Sequence, residues 1–191
     1  VEVSGKADVA ILFLGEEAIL SGEAHCRADI RLPGEQEALI AAIAETGTPL
    51  VLVILAGRPL ALQGVPEMVD ALLYAWHPGS MAGPALVDLL IGKESPSGKL
   101  PVTFPRVTGQ IPIYSAQKNT GKPVDPDSFV HVEDIDPGTP QLSVGNTSVH
   151  MDVHYTPLYP LGHGLSYAEF EYRDLQCDQK RVPLGGAGSL C

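Results

Sequence analysis

Three largely apolar runs stand out in the first half of the chain, at residues 7–15, 50–55 and 71–76, and Asp8 is the one charged residue among them. Each run is continuous rather than alternating with polar residues, a pattern typical of a strand that is buried on both faces of a sheet. The sequence therefore predicts three strands, and Gly15 closes the first of them.

Two segments with helical periodicity lie among these strands. Residues 32–47 place Leu39, Ile40 and Ile43 at helical spacing, and residues 80–90 show a similar one-sided apolar pattern. Strands that are apolar throughout, alternating with helices, favour an α/β fold. We expect a largely parallel sheet with helices on both faces, an α/β sandwich.

Polar chemistry is concentrated in the loops that follow the predicted strands. After Leu14, Leu55 and Trp76 the chain reads GEEAILSGEAHCR, AGRPLAL and HPGSMAG. Because ligands bind beyond the carboxyl ends of the strands in open parallel sheets, we expect these three loops to share one rim and to carry the functional site.

The second half of the chain is rich in proline and does not favour long helices. Ten prolines fall between Pro96 and Pro160, and proline interrupts a helix interior. Residues 115–155 therefore read as one long irregular excursion. We expect one domain over residues 1–174 and a linker or disordered tail over residues 175–191.

Charge and composition exclude several classes of function. The chain has 12 basic and 23 acidic residues and a net charge of −11, with no basic cluster, so we expect no nucleic-acid partner. Its longest apolar stretch is far too short to span a bilayer, and we expect no membrane partner. The first residue is Val1 rather than Met, so we expect the sequence to begin within a longer protein.

The sequence predicts neither a metal site nor a cofactor. Cys26, Cys177 and Cys191 are far apart, which favours neither a disulfide framework nor a zinc site. His150 and His154 have the spacing of half a helical metal site, but the surrounding prolines argue against a helix and no third ligand is evident. No phosphate-binding glycine loop is present.

Several charged residues of the first loop are candidates for chemistry. Glu23 has the position of a general acid on the rim, while an exposed loop glutamate is also common without any function. Glu16 and Glu17 lie nearer the strand end, where the sequence indicates either a solvated acidic turn or a partner for Arg27. Arg27 and Arg58 offer guanidinium forks that bind carboxylates or sugar hydroxyls, or that tie loops together, and for Arg58 the second role is favoured.

Several motifs, in their order and spacing, resemble one family. The stretches GEEAILSGEAHCR, PSGKLPVTFP, GQIPIY, NTGKP and GHGLSY are similar to those of the second domain of family 3 glycoside hydrolases, which include bacterial β-glucosidases. The resemblance covers roughly residues 7–174. It implies a retaining hydrolase that removes terminal β-linked glucose or a related sugar by means of two carboxyl groups.

The resemblance also implies roles for particular residues. Glu23, in SGEA, matches the family's acid/base, and Glu16 is the reserve candidate. Arg27, Asn119 and Thr120 are expected to contact the sugar or border its subsites. The nucleophile belongs to a (β/α)8 barrel that precedes this domain in the family, so the chain by itself should not hydrolyse a substrate.

Partners and location follow from the same resemblance. The substrate would be a β-linked oligosaccharide or glycoside, the barrel would act in cis or in trans, and the protein would be periplasmic or secreted. Family members have a strand and a helix before the position of Val1, so we expect an open apolar face or edge that a partner or a homodimer covers. The alternative function is a non-catalytic carbohydrate-binding or interaction domain derived from that family.

Two places depart from the family pattern. Leu161 and His163 stand where aromatic residues are usual, which suggests altered packing. His77, Ser80 and Met81 stand where acidic or glycine residues are common, which changes the expected sugar contacts there.

Overall fold

Three parallel strands form the sheet of this protein. The computed structural model describes residues 1–116, 118, 121–141, 148–176, 181 and 184–185. Strands β1 (Ala10–Gly15), β2 (Leu50–Leu55) and β3 (Ala71–Tyr74) lie in the order β1-β2-β3. The predicted parallel sheet is confirmed, with Leu12 beside Leu52 and Leu52 beside Leu72.

Within the described residues two α-helices accompany the sheet, both in segments predicted to be helical. Helix α1 spans Gln36–Ala44 and helix α2 spans Ala82–Leu90. Both are nine residues long. Between β2 and β3 the chain forms only a single 3-10 turn, Pro66–Met68. The other 3-10 turns of the described residues are Ser4–Lys6, Ala18–Leu20, Thr108–Gln110, Pro126–Ser128 and Val132–Asp134.

The hydrophobic core lies on one face of the sheet. Alternate residues of β2 point into it together with the buried side of α1 and the segment after β2, which is the expected result of period-two alternation in a strand. Its buried members are Leu32, Ile40, Ile43, Leu50, Leu52, Ile54, Ala56, Leu60, Leu62 and Val65. The central strand is also covered on its other side, where Val53 has no exposed surface.

Strand β1 differs from the sequence prediction on one face. Its even-numbered residues pack against the core, but Ile11 and Phe13 remain 43% and 54% exposed, as does Val9 just before the strand, at 45%. The prediction of burial on both faces is wrong for this strand, because β1 is an edge strand that pairs only with β2 and no described segment covers its outer face. The exposed residues form an open apolar face of the kind that the family resemblance led us to expect.

The end of β1 is fixed by a tight contact with its neighbours. Gly15 has φ 142°, and a Cβ there would lie 1.9 Å from the carbonyl oxygen of Leu55, so only glycine fits. The Gln36 side chain at the start of α1 accepts a hydrogen bond from the Gly15 N–H at 2.8 Å and donates one to its carbonyl at 2.9 Å. The chain therefore leaves the sheet in a fixed direction, at Glu16.

The proline-rich half folds back on itself through short antiparallel contacts, and the Gln63 N–H donates to Arg106 O at 3.1 Å to join it to the sheet domain. The Phe104 N–H donates to Tyr159 O at 2.9 Å, and the Leu100 N–H donates to His163 O at 2.8 Å. Gln110 is buried and donates to the carbonyls of His154 and Thr156 at 3.0 and 3.1 Å. After α2, the described residues contain only single-turn helices, as the prolines predict.

Candidate active site

The loops after the three strands meet at one edge of the sheet, which confirms the predicted rim. Ser21 follows β1, Gly57 follows β2 and His77 follows β3. Ser21 Oγ lies 3.3 Å from His77 Nε2. A Cβ on Gly57 would lie 2.4 Å from that oxygen and 2.5 Å from that nitrogen, so the three loops are in direct contact.

Glu23 occupies the tip of a four-residue turn, residues 22–25, which we call the Glu23 turn. The His25 N–H donates to Gly22 O at 3.1 Å and closes the turn. Gly22 has φ 147° and Ala24 has φ 63°, so the turn uses backbone conformations that L-residues rarely adopt. Glu23 is exposed and makes no side-chain hydrogen bond or ion pair within the described ranges.

Glu16 has the opposite environment, although it lies in the same loop. Its side chain has no exposed surface. One carboxylate oxygen accepts a hydrogen bond from Arg27 Nη1 at 2.6 Å, and the other accepts one from Arg58 Nε at 3.1 Å. Two guanidinium groups thus compensate the charge of one buried carboxylate, the arrangement that burial of an ionised group requires.

The two arginines that bind Glu16 also donate hydrogen bonds to backbone carbonyls of the loop. Arg58 Nη2 donates to the carbonyls of Leu20 and, at 3.1 Å, of His25, so one guanidinium holds the chain on both sides of Glu23. Arg27 Nη2 donates to Arg31 O at 3.0 Å. Arg58 therefore ties loops together, the role favoured from sequence.

Tyr74, at the end of β3, holds the backbone of Arg58 through a hydrogen bond. Its hydroxyl donates to Arg58 O and accepts a hydrogen bond from the Leu60 N–H at 3.3 Å. Burial raises the pKa of the Tyr74 phenol, and the nearby Glu16 carboxylate adds to this effect. The hydroxyl therefore stays protonated and remains a donor at all physiological pH values.

Aromatic rings fill the space beside Tyr74. The ring centroids of Tyr74 and Trp76 are 4.8 Å apart, and those of Tyr74 and Phe104 are also 4.8 Å apart, both pairs in edge-to-face geometry. Tyr159 in turn stacks on His163, with centroids 4.7 Å apart and planes 19° from parallel. The His163 ring therefore packs face to face against an aromatic neighbour.

Asp29 joins the rim to the proline-rich half. Its carboxylate accepts hydrogen bonds from Arg31 and, at 3.3 Å, from Thr108 Oγ1. The Arg31 guanidinium beside Asp29 lowers the pKa of that carboxyl to about 2. Thr108 Oγ1 also accepts from the Ile30 N–H at 3.3 Å, so the link is made through backbone as well as side chain.

The sequence-predicted site residues fall into two groups. Glu16, Glu23 and Arg27 lie in one loop, with Glu16 and Arg27 in contact. Asn119 and Thr120 lie outside the described residues.

Three residues of the site carried no clear signal in the sequence. In the sequence, Ser21 is an ordinary polar loop residue, and only the fold shows its contact with His77. Tyr74 is likewise an ordinary aromatic strand residue, and only the fold shows its hydrogen bond to Arg58. Gln36 bonds Gly15 across 21 positions of sequence, and periodicity says nothing about such a contact.

Metal ligation and membrane crossing have no support in the described part of the chain. No group of three or more His, Cys, Asp or Glu side chains is placed there to hold a metal ion. His154 Nδ1 lies 2.8 Å from Thr156 Oγ1 instead. Within the same described ranges no helix has the length and apolar character needed to cross a bilayer.

Comparison with known proteins agrees with the motifs of the sequence. The protein-family model described as "Glycosyl hydrolase family 3 C-terminal domain" matches residues 1–167. A protein named periplasmic beta-glucosidase from Salmonella typhimurium is 41% identical over 97% of this chain, and a protein named beta-xylosidase from Formosa agariphila is 31% identical over 100%. The chain spans only 22% and 23% of these two relatives.

Solved structures show the same fold. The crystal structure of a beta-glucosidase from Listeria innocua in complex with isofagomine aligns with a TM-score of 0.75 and 39% identity, over 90% of this chain and 22% of that one. The same enzyme in complex with gluconolactone aligns with a TM-score of 0.77 and 36% identity, over 95% and 23%. The predicted α/β sandwich is thereby confirmed.

Motifs, family model and fold agree across nearly the whole sequence. The chain therefore belongs to glycosyl hydrolase family 3, of which it represents the C-terminal domain.

Proposed function

We propose that this chain forms part of a retaining β-glycosidase and supplies its acid/base, Glu23. The observation that carries the proposal is the contrast within one loop. Glu23 projects from the tip of a turn without a partner among the described residues, while Arg58 holds the backbone on both sides of Glu23. An acid/base needs both a free carboxyl group and a fixed position.

Glu16 has a supporting part in this proposal. Its carboxylate is fully buried and engaged by two guanidinium groups, so it has no access to a substrate oxygen. We assign it to positioning, because it orients Arg58 and Arg27. The same contacts use two nitrogens of Arg27, and we assign that residue a positioning part in place of direct contact with the sugar.

The reaction requires a second carboxylate, which we place on a barrel domain. That carboxylate attacks the anomeric carbon while the Glu23 carboxyl protonates the departing glycosidic oxygen, giving a covalent glycosyl-enzyme and the free alcohol. The Glu23 carboxylate then removes a proton from water as the water oxygen attacks the same carbon and releases the barrel carboxylate. Retaining enzymes hold the two groups about 5 Å apart.

The substrate and location follow from the relatives. The names beta-glucosidase and beta-xylosidase support terminal β-glucosyl or related β-glycosyl residues as substrates. The name of the Salmonella relative supports a location outside the cytoplasm. Asn119 and Thr120 are proposed to border the site that accepts the leaving group.

The test is a Glu23→Gln variant of the full-length gene product. We expect kcat/KM to fall by about 10²- to 10⁴-fold on a disaccharide, whose leaving group needs a proton, and far less on a dinitrophenyl glucoside, whose leaving group does not. Glu17→Gln is the matched control, since Glu17 is an exposed carboxylate in the same loop.

Two results would contradict the proposal. Equal and small losses on both substrates would place the acid/base elsewhere. A wild-type gene product that binds β-linked oligosaccharides but hydrolyses neither substrate would favour the carbohydrate-binding alternative.

A further inference from the structure

Residues 20–25, which carry Glu23, are held from the loops after β2 and β3 at three points among the described residues, of which two belong to Arg58. This guanidinium binds the carbonyls of Leu20 and His25, so it fixes backbone atoms on either side of Glu23. The third point is the hydrogen bond between Ser21 Oγ and His77 Nε2, at 3.3 Å. This hydrogen bond ties residues 20–25 to the loop after β3.

We propose that His77 is a positioning residue for the acid/base, and that it acts by holding Ser21, two positions before Glu23. This inference rests on the function proposed for Glu23. His77 does not touch the reacting atoms; it restrains the start of the Glu23 turn from the neighbouring loop. The hydrogen bond forms with either ring tautomer, because a hydroxyl both donates and accepts.

The geometry at the end of β2 shows that this contact depends on a specific residue between the two loops. Gly57 lies between Ser21 and His77, and a Cβ there would approach both polar atoms to 2.4 and 2.5 Å. Gly57 has no positive φ that would itself require glycine. Its missing side chain is therefore explained by the space that the Ser21–His77 hydrogen bond occupies.

The need for such a restraint follows from the shape of the turn. Gly22, directly after Ser21, has φ 147°, and Ala24 has φ 63°. Arg58 fixes carbonyls at Leu20 and His25, but neither bond restrains the side chain of Ser21, the residue directly before the turn. A small displacement of a catalytic group has a large effect on rate, so one added restraint is enough to matter.

The experiment measures leaving-group dependence in the full-length gene product. For His77→Ala we expect kcat/KM to fall about fivefold to tenfold on a disaccharide and less than twofold on a dinitrophenyl glucoside, as expected from losing one hydrogen bond that places an acid. Ser21→Ala should give the same pattern. The double variant should lose no more than either single one, because both remove the same bond.

Three further variants sharpen the test. His77→Gln carries a side-chain nitrogen with a similar reach and should restore most of the disaccharide activity. Gly57→Ala should reproduce the His77→Ala pattern without changing either partner, because its methyl group forces them apart. Gly83→Ala is the control: it lies in α2, and its Cβ would meet nothing within 4 Å.

The outcomes separate this inference from the proposed function. If Glu23→Gln shows the leaving-group split but His77→Ala lowers both substrates equally or neither, His77 is structural and the inference is overturned. Additive losses for His77→Ala and Ser21→Ala would also overturn it. If Glu23→Gln itself shows no split, the proposed function fails, and the role of His77 fails with it.

Discussion

The loop after β1, which we call the rim loop, directly follows in sequence the strand whose outer face is exposed. The two regions differ in whether their side chains have partners within the chain. In the rim loop, Glu16 finds both of its cationic partners within the chain. On β1, Ile11 and Phe13 leave about half of their apolar surface in water. The comparison teaches that the polar network of the rim is self-contained, whereas the apolar packing of the edge strand is not.

The physical reason lies in the range of the two interactions. Hydrogen bonds and ion pairs of the rim are formed by a few residues that the strand ends already bring together. Covering a strand face needs a whole further element, since each large apolar side chain gains about 1.5 to 3 kcal/mol only when it is fully buried. A domain of this kind can therefore have a complete loop network while one face of its sheet is uncovered.

Removing the charge of Glu16 should disrupt the ion-pair network of the rim more than any other change to it. In Glu16→Gln, two guanidinium groups that are only 18% and 22% exposed lose their counter-charge. We expect the free energy of unfolding of the 191-residue chain to fall by about 3 kcal/mol in urea denaturation, as is typical when one partner of a buried ion pair is removed.

Glu17→Gln is the control for that measurement. Glu17 is exposed and lies next to Glu16 in the chain, so its change should stay within about 0.5 kcal/mol. A loss below 1 kcal/mol for Glu16→Gln would show that the two arginines are hydrated well enough without it, and that the rim network is weaker than its geometry implies.

A pair of alanine variants compares the covered and uncovered faces of the sheet. Leu52 has no exposed surface, and Leu52→Ala should cost about 3 kcal/mol of unfolding free energy, through lost transfer energy and a cavity. Phe13 is a larger side chain but is 54% exposed, and Phe13→Ala should cost less than about 1 kcal/mol in the same chain.

The ratio of these two costs is the informative quantity. Similar losses for both variants in urea denaturation would mean that the outer face of β1 is covered in solution, for instance by self-association. Repeating the measurement over a tenfold range of protein concentration separates the two cases, because stabilisation by association depends on concentration.

The sequence was sufficient for the sheet and its rim because both follow from local patterns. Continuous apolar runs located β1, β2 and β3, and the rule for parallel sheets placed their loops together. The prediction of burial on both faces is wrong for β1, because periodicity shows which residues are apolar but not which element covers them. The contact of Ser21 with His77 spans 56 positions of sequence, and no local pattern encodes it.

The smallest expected effect concerns Ala24, whose φ of 63° places it in the left-handed region. That conformation costs an L-residue about 1 to 2 kcal/mol, while glycine loses about 0.5 to 1 kcal/mol more in chain entropy on folding. Ala24→Gly should therefore raise the free energy of unfolding of the 191-residue chain by about 0.5 kcal/mol.

Ala85→Gly is the matched comparison, at an exposed position in the interior of α2, and it should instead lower the free energy of unfolding by about 1 kcal/mol. Opposite signs for the two variants, measured by urea denaturation, would show that the Glu23 turn stores backbone strain that the rim contacts maintain. If Ala24→Gly is destabilising as well, the turn is relaxed in solution, and its geometry has to be imposed by whatever packs over the rim.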